Sequence, residues 1–263
     1  MCFPKGSWQL SIPESLNAGM KIRYKSITAE APRKMHIPDG FLSLVISAVL
    51  WIVTLAFLVV AFWRANKTLD DKRIPLMATL TAMFFAAQMM NYPIIGGTTA
   101  HLLGGPILAI TLGPFPALIA MTIILTIQAL FFGDGGILSF GANVFNMGIL
   151  GTFIPFLIFT AAWKLNPKRE GMIIGAFLGA FLGDLGAATA AGLELGFSST
   201  FPYGPVIALL VMTLHHSVIG VIEGFATVMI LLVLYRVRPD LLPVLPAVPF
   251  VSGEPSGAAK EVL

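Results

Sequence analysis

Cysteine is almost missing from this 263-residue chain, and so is charge. The single cysteine, Cys2, leaves no internal disulfide and no cysteine-built metal cluster to consider. Charged residues make up only 11% and hydrophobic residues 57%, and the mean hydropathy is +0.88. That balance excludes an ordinary soluble domain. The net charge of +3 is small and sits in short links, so nothing points to nucleic acid. No phosphate-binding Gly-x-x-x-x-Gly-Lys-Ser/Thr loop is present, so ATP hydrolysis by that route must come from other chains. No His-Glu-x-x-His is present either, and "HHSVIGVIEG" at 215–224 has the wrong spacing for one.

What remains is apolar and long. Seven hydrophobic segments are legible at about 41–63, 74–92, 102–112, 114–132, 138–163, 171–194 and 204–235. Crossing about 30 Å of hydrocarbon takes roughly 20 helical residues. Strand-like alternation is absent from these runs, so helices are the spanning elements. The expected fold is all-α: a polytopic membrane bundle of about seven transmembrane segments. The breaks are a polar stretch at 64–73 (RANKTLDDKR), a basic link at 164–169 (KLNPKR), Gly113-Pro114, and the turn Gly133-Asp134-Gly135-Gly136.

The positive residues orient the chain. Arg64, Lys67, Lys72 and Arg73 lie in the first link, Lys164, Lys168 and Arg169 in the fifth, and Arg236 and Arg238 after the last segment. Placing all three groups in the cytoplasm follows the positive-inside tendency. An even number of crossings must then separate 73 from 164, which requires 102–112 to count as one. That run is too short to span alone, so a short or broken helix shielded inside the bundle is expected there. Seven crossings put the residue before the first segment outside and the C-terminus inside.

This topology makes residues 1–34 anomalous. They carry Lys5, Lys21, Arg23, Lys25, Arg33 and Lys34 against Glu14 and Glu30, yet would have to be exported, and they lack the apolar core of a signal peptide. Either translation starts at Met35 or the leader is removed; a solvated N-terminal tail is the alternative. The expected organisation is a leader at 1–34, one transmembrane domain at 35–238, and a loosely ordered cytoplasmic tail at 239–263.

The metal expectation comes from the histidines. There are four: His36, His101, His215 and His216. Neutral imidazole ligates Ni, Co, Cu and Zn, although a single membrane histidine more often bridges helices through a hydrogen bond. With Met35 first, its free amine, the His36 amide nitrogen and the His36 Nδ1 are three nitrogens joined by short covalent spans. Amine and amide close a five-membered ring on an ion, amide and imidazole a six-membered one. Fused rings of this kind hold their donors nearly coplanar. Ni²⁺ and Cu²⁺, which favour tetragonal nitrogen fields, best offset the cost of deprotonating an amide. A fourth in-plane donor is needed, and His101 is the candidate. Pro38 and Gly40 fit a tight bend that tucks the hexapeptide between helices, with Asp39 pairing a donor or steadying the bend.

"MHIPDGFLS" at 35–43, "HLLGGP" at 101–106, "QALFFGDGG" at 128–136, "GANVFNMG" at 141–148 and "HHSVIGVIEG" at 215–224 together resemble the CbiM/NikM family. Its members are the metal-capture subunits of energy-coupling-factor nickel/cobalt transporters. The resemblance covers about 36–235, and its most specific element is Met-His-Ile-Pro-Asp-Gly. In that family the motif stands at the N-terminus, whereas here 34 residues precede it. The resemblance implies metal ligation by Met35, His36 and His101. It also implies Ni²⁺ or Co²⁺ as cargo with no permanently bound cofactor, and no enzymatic activity of the chain's own. The implied partners are a transmembrane coupling subunit, two ATPase subunits and a small accessory membrane subunit. The implied location is the prokaryotic cell membrane, in contact with lipid.

Other polar residues carry two readings each. Asn91, Gln128, Asn143 and Asn146 are costly in lipid and should face the bundle interior, either orienting the histidine ligands or bridging helices. His216 is read as such an orienting residue rather than a direct ligand, and pairing of a histidine with Glu223 is a further option. Asp134 is read as stabilising its turn. Met83, Met89, Met90 and Met147 are read as packing. Ala78, Ala82 and Ala86 recur every four residues and form a smooth stripe. The stripe suits either internal packing or, by the resemblance, docking of the coupling subunit. Two rivals stay open: an autonomous carrier or channel using Asp184, Glu194 and Glu223, and a membrane metallo-enzyme.

Overall fold

The computed structural model describes residues 36–71, 73–90, 92–93 and 99–242, all within one compact unit, Arg33–Leu263. Met35, the leader, Asn91 and residues 243–263 of the tail lie outside the described residues.

The architecture is a helical bundle: α1 (Leu44–Thr68), α2 (Arg73–Met89), α3 (Gly105–Leu112), α4 (Pro114–Phe131), α5 (Phe140–Asn143), α6 (Gly151–Leu165), α7 (Arg169–Gly196) and α8 (Pro205–Val237). A π-helical stretch, Val144–Leu150, joins α5 to α6 without a break, so Phe140–Leu165 is one span. The only strands among the described residues are two-residue ones, Tyr92–Pro93 and Thr99–Ala100, paired antiparallel just before His101. All seven apolar segments of the sequence are therefore helical. Five of them are long and apolar enough to cross a membrane. A sixth, α2, has 17 residues, about 26 Å of helix.

The seventh segment is α3. It has eight residues, all of them buried, and its roughly 12 Å of length could not span alone. It is the short, shielded helix that the charge pattern demands. Gly113-Pro114 separates it from α4, and Pro114 occupies the first turn of α4, where its missing N–H costs nothing. Pro205 starts α8 in the same way.

Burial follows the membrane setting. α1 turns only Ser47, Thr54, Ala61 and Ala65 inward, while Leu44, Val45, Ile52 and Val59 are exposed. Such an apolar outer belt is stable in lipid and untenable in water. The main core gathers around α3 and α4, with Ile107, Leu108, Leu118, Met121 and Ile124 almost fully buried. The tail begins in contact with this core: Pro239–Leu241 form a 3₁₀ turn and Leu242 is buried.

Small residues let the last helices approach closely. A Cβ on Gly179 of α7 would lie 2.9 Å from the Pro155 carbonyl oxygen of α6. On the opposite face α7 and α8 run antiparallel, with Gly196 against Pro205, Gly192 against Leu209, and Gly224 against Phe177. This small-residue packing is the usual solution where no hydrophobic force drives helices together.

Candidate metal site

The site begins with residues 36–43, a non-helical segment that lies against the 133–139 turn and the start of α5. Its backbone is satisfied at nearly every step. The Ile37 N–H donates to Asn143 Oδ1 at 3.0 Å, and Asn143 Nδ2 donates back to the Ile37 carbonyl at 3.1 Å. The Gly136 N–H also donates to that carbonyl, at 3.0 Å. Asp39 accepts three backbone N–H bonds, from Ile137, Leu138 and Ser139 at 2.8–3.1 Å. It therefore caps the approach to α5 and is not turned towards an ion. Ser198 Oγ donates to the Phe41 carbonyl and accepts from the Ser43 N–H, fixing the far end of the segment at the start of α1.

His36 is thereby held inside the protein, only 6% exposed. Its Nε2 lies 2.8 Å from Gln128 Oε1. Gln128 Nε2 donates to Gln88 Oε1 at 3.0 Å, and Gln88 Nε2 donates to the Leu103 carbonyl at 2.7 Å. Because the Gln128 oxygen accepts, His36 must carry its proton on Nε2, and the Nδ1 lone pair is left for another partner. Nδ1 is the atom that the fused-ring chelate requires. The same relay ends two residues from His101.

His101 is placed from the other side. The chain turns at Gly104 (φ 73°), where a Cβ would strike the Phe84 ring, and enters α3. The first free amides there, from Leu103 and Gly104, donate to Glu223 Oε2 and Oε1 at 2.9 and 2.8 Å. A carboxylate at a helix N-terminus satisfies both the orphan donors and the helix dipole, and this one comes from midway along α8. The His101 Nδ1 lies 3.1 Å from the Leu102 carbonyl. That contact makes Nδ1 the donor and leaves the Nε2 lone pair free.

The two rings meet edge to face, with centroids 5.4 Å apart and an interplanar angle of 87°. Imidazole bonds to a first-row ion are about 2 Å long, so two rings on one ion have centres roughly 4.5–6 Å apart. The observed spacing lies inside that range. Burial holds the His36 imidazole below its ordinary pKa, with Asp134 and Gln128 opposing the shift. Burial, reinforced by His36, pushes His101 down to about 3. Both rings are neutral at physiological pH, the state that ligates metal.

Both face a cavity of about 90 Å³ whose wall also includes Asn143, Asn146, Asp184 and His216. Among the described residues no three His, Cys, Asp or Glu side chains converge to cage an ion. A site here needs backbone or terminal nitrogen as well. The sequence-based candidates thus divide. His36, His101, Gln128 and Asn143 come together. Asn146 lines the cavity, but its Nδ2 donates to Glu194 Oε2 at 2.8 Å. His216 lines it too, and bonds Asp184 rather than Glu223, at 3.1 Å. His215 bonds the Val211 carbonyl of its own helix. Asp134 does more than steady its turn, because its Oδ1 accepts from the His36 N–H at 3.3 Å. Gln88 and Ser198 are additions. A lone amide in an apolar helix was a signal for the first; nothing marked the second.

The model of the family described as "cobalt uptake substrate-specific transmembrane region", CbiM, matches residues 36–241. The chain belongs to the CbiM family. Within that setting it is 37% identical over 223 residues to the fused nickel transport protein NikMN of Rhodobacter capsulatus, covering 79% of this chain and 64% of that protein. It is 32% identical over 232 residues to the cobalt transport protein CbiM of Geobacter sulfurreducens, covering 86% of this chain and 66% of that protein. A crystal structure of a transition metal transporter superposes with a TM-score of 0.72 at 39% identity, over 77% of this chain and 93% of that one. The CbiM match begins at His36 and ends at the 3₁₀ turn, so it spans the bundle and both histidine-bearing segments. The alanine stripe on α2 has a definite place as well: Ala78, Ala82 and Ala86 all face outward and are exposed.

Proposed function

We propose that this chain is the substrate-binding membrane subunit of an ATP-driven energy-coupling-factor importer of Ni²⁺ or Co²⁺. With the leader absent and Met35 first, the ion is held in a plane by the Met35 amine, the His36 amide, His36 Nδ1 and His101 Nε2. The observation that carries this reading is a pair of neutral imidazoles facing one cavity, His36 buried and His101 half-buried, each with its other ring nitrogen already engaged. Ligands fixed by such outer hydrogen bonds need little reorganisation when the ion arrives.

Binding requires no bond chemistry in the protein beyond loss of protons from the amine and the amide. The segment 36–43 then acts as the closure over the ion, held by Asn143, Asp39 and Ser198. A four-nitrogen plane leans towards nickel, since Co²⁺ more readily takes further ligands. The basic links place Met35 outside and the C-terminus in the cytoplasm. Energy comes from a coupling subunit and two ATPase subunits, with a small accessory membrane subunit. The exposed Ala78–Ala82–Ala86 stripe is the docking face for the coupling subunit.

The test is Ni²⁺ binding by the purified chain without a polyhistidine tag. A low-spin, diamagnetic ion with a coloured d–d band is expected, lost in both His36→Ala and His101→Ala. Six oxygen or nitrogen neighbours by X-ray absorption would refute the plane. Metal flux through liposomes containing this chain alone would make it an autonomous carrier instead.

A further inference from the structure

Helix α2 has two faces with different occupations. Of its 17 residues, only Thr81, Phe84 and Gln88 are buried. Thr81 bonds the Met77 carbonyl of its own helix at 2.7 Å, which leaves Phe84 and Gln88 as the buried grips on the bundle. A step of two residues turns about 200° around an α-helix. Phe84 follows Ala82 by two residues and Gln88 follows Ala86 by two, so the grips lie opposite the exposed alanines.

Both grips end on the segments that hold the imidazoles. The Phe84 ring fills the space that a Cβ on Gly104 would need, three residues after His101. Gln88 is fully buried and uses both ends of its amide. Its Nε2 donates to the Leu103 carbonyl at 2.7 Å and to Met121 Sδ on α4 at 3.4 Å. Its Oε1 accepts from Gln128 Nε2 at 3.0 Å, and Gln128 Oε1 in turn lies 2.8 Å from His36 Nε2. A third link runs through the backbone. The chain leaves α2 into Tyr92–Pro93, and Tyr92 pairs with Ala100, the residue before His101.

An element with so few buried side chains is among the easier ones to displace. It cannot be displaced silently, however. Hydrogen bonds weaken steeply as their geometry departs from linear, and packed interfaces switch between discrete arrangements rather than stretch. A shift of α2 pulls at Leu103 and Gly104 on the His101 side and at Gln128 on the His36 side.

We propose that Phe84 and Gln88 are positioning residues that make α2 the release lever of the ion site. A partner bearing on the alanine face moves the helix and slackens the settings of His36 and His101 together. The identity of that partner, the coupling subunit, rests on the importer reading above; the two grips do not.

The experiment follows Ni²⁺ release by chelator chase from the purified untagged chain in detergent. Release is measured from the chain alone, and from the chain assembled with its coupling and ATPase subunits in the presence of ATP. Gln88→Met keeps the length and burial of the side chain and removes its amide. Release from the isolated variant should be about tenfold faster than from the wild type, with the helical circular dichroism unchanged. Assembly should speed release from the wild type, and that acceleration should shrink in Gln88→Met, because the variant has already let go what the partner would loosen. If Gln88→Met does not fold, Phe84→Leu, which thins the ring against Gly104, takes its place in the same comparison. Unchanged release from the isolated variant would overturn the lever. So would an equal acceleration on assembly in wild type and variant, which would make Gln88 a local support only. In a complex that imports Ni²⁺, either result removes the lever and leaves the importer reading standing. A wild-type chain that forms no complex, or a complex that imports no Ni²⁺, would sink the importer reading and the lever with it.

Discussion

Asn143 grips Ile37 with both ends of its side-chain amide, accepting from the N–H at 3.0 Å and donating to the carbonyl at 3.1 Å. One side chain thereby mimics a strand partner for the residue that follows His36. Replacing it with alanine removes two hydrogen bonds and strands the Ile37 N–H, while the carbonyl keeps its bond from Gly136, a cost of about 1–3 kcal/mol. Asn143→Ala should weaken Ni²⁺ binding about ten- to a hundredfold by isothermal titration while the helical circular dichroism is unchanged. Asn143→Asp should do no better, because a second oxygen would then face the Ile37 carbonyl.

Glu223 acts at a distance of 120 residues in sequence. Glu223→Ala would leave the buried Leu103 and Gly104 amides without acceptors, at about 1–3 kcal/mol each. The melting temperature in detergent and the Ni²⁺ affinity should both fall, since His101 is two residues away from the released backbone. Glu223→Gln keeps one acceptor oxygen and should fall between the wild type and the alanine variant. An unchanged affinity in Glu223→Ala would show that the α3 cap does not position His101.

Acid should act on the metal-free chain through the His36 and His101 imidazoles. Burial lowers their pKa in the folded state, to about 3 for His101, from about 6.5 when unfolded. Their favourable contribution is therefore complete above pH 6.5 and is lost as the pH falls towards 3. The melting temperature should drop across that interval, and the drop should shrink in His101→Ala. Above pH 6.5 both rings are already neutral, so protons released on Ni²⁺ binding, measured in weakly buffered solution, come from the amine and the amide.

The stripe on α2 tests assembly separately from binding. Ala78, Ala82 and Ala86 are exposed, so a leucine at 82 has room within the subunit. Ala82→Leu should leave the melting temperature and Ni²⁺ binding unchanged while preventing co-purification with the coupling subunit. Loss of metal binding by the isolated variant would mean that the stripe packs internally.

Much of this arrangement was legible in the sequence because membrane solvent makes sequence patterns coarse. Long apolar runs must be helices, and the parity of basic links singled out 102–112 as a short buried helix, as α3 is. The pairing of His36 with His101 was also legible, through the spacing of nitrogens around one peptide bond and the family's motif. The partners of the polar residues were not. Glu223 could have met His216 one or two turns away, but it reaches the free amides of α3, which only the three-dimensional approach of α8 reveals. Gln88 sits among apolar neighbours in α2, and its relay to His36 depends on α4 supplying Gln128 between them. Ser198 is one hydroxyl in a polar turn, and no local pattern distinguishes it. Met35 and Asn91 lie outside the described residues.

The π-helical stretch Val144–Leu150 has a consequence for how this span tolerates change in length. A π turn accommodates one residue more than the α-helix around it. Deleting one residue there would let the stretch relax to an ordinary helix while the turns on either side keep their phase, because the π turn absorbs a residue locally. Asn143 would still hold Ile37, Gly151 would keep its seat against Leu103 and Gly105, and Pro155 would stay against Gly179 and Gly183. The same deletion inside α6 meets no such slack, and everything beyond it would turn by about 100° and draw back by about 1.5 Å. A gene one codon shorter at the π stretch would therefore encode the same closure and the same bundle, whereas one shorter a turn later would point α6 at the wrong neighbours.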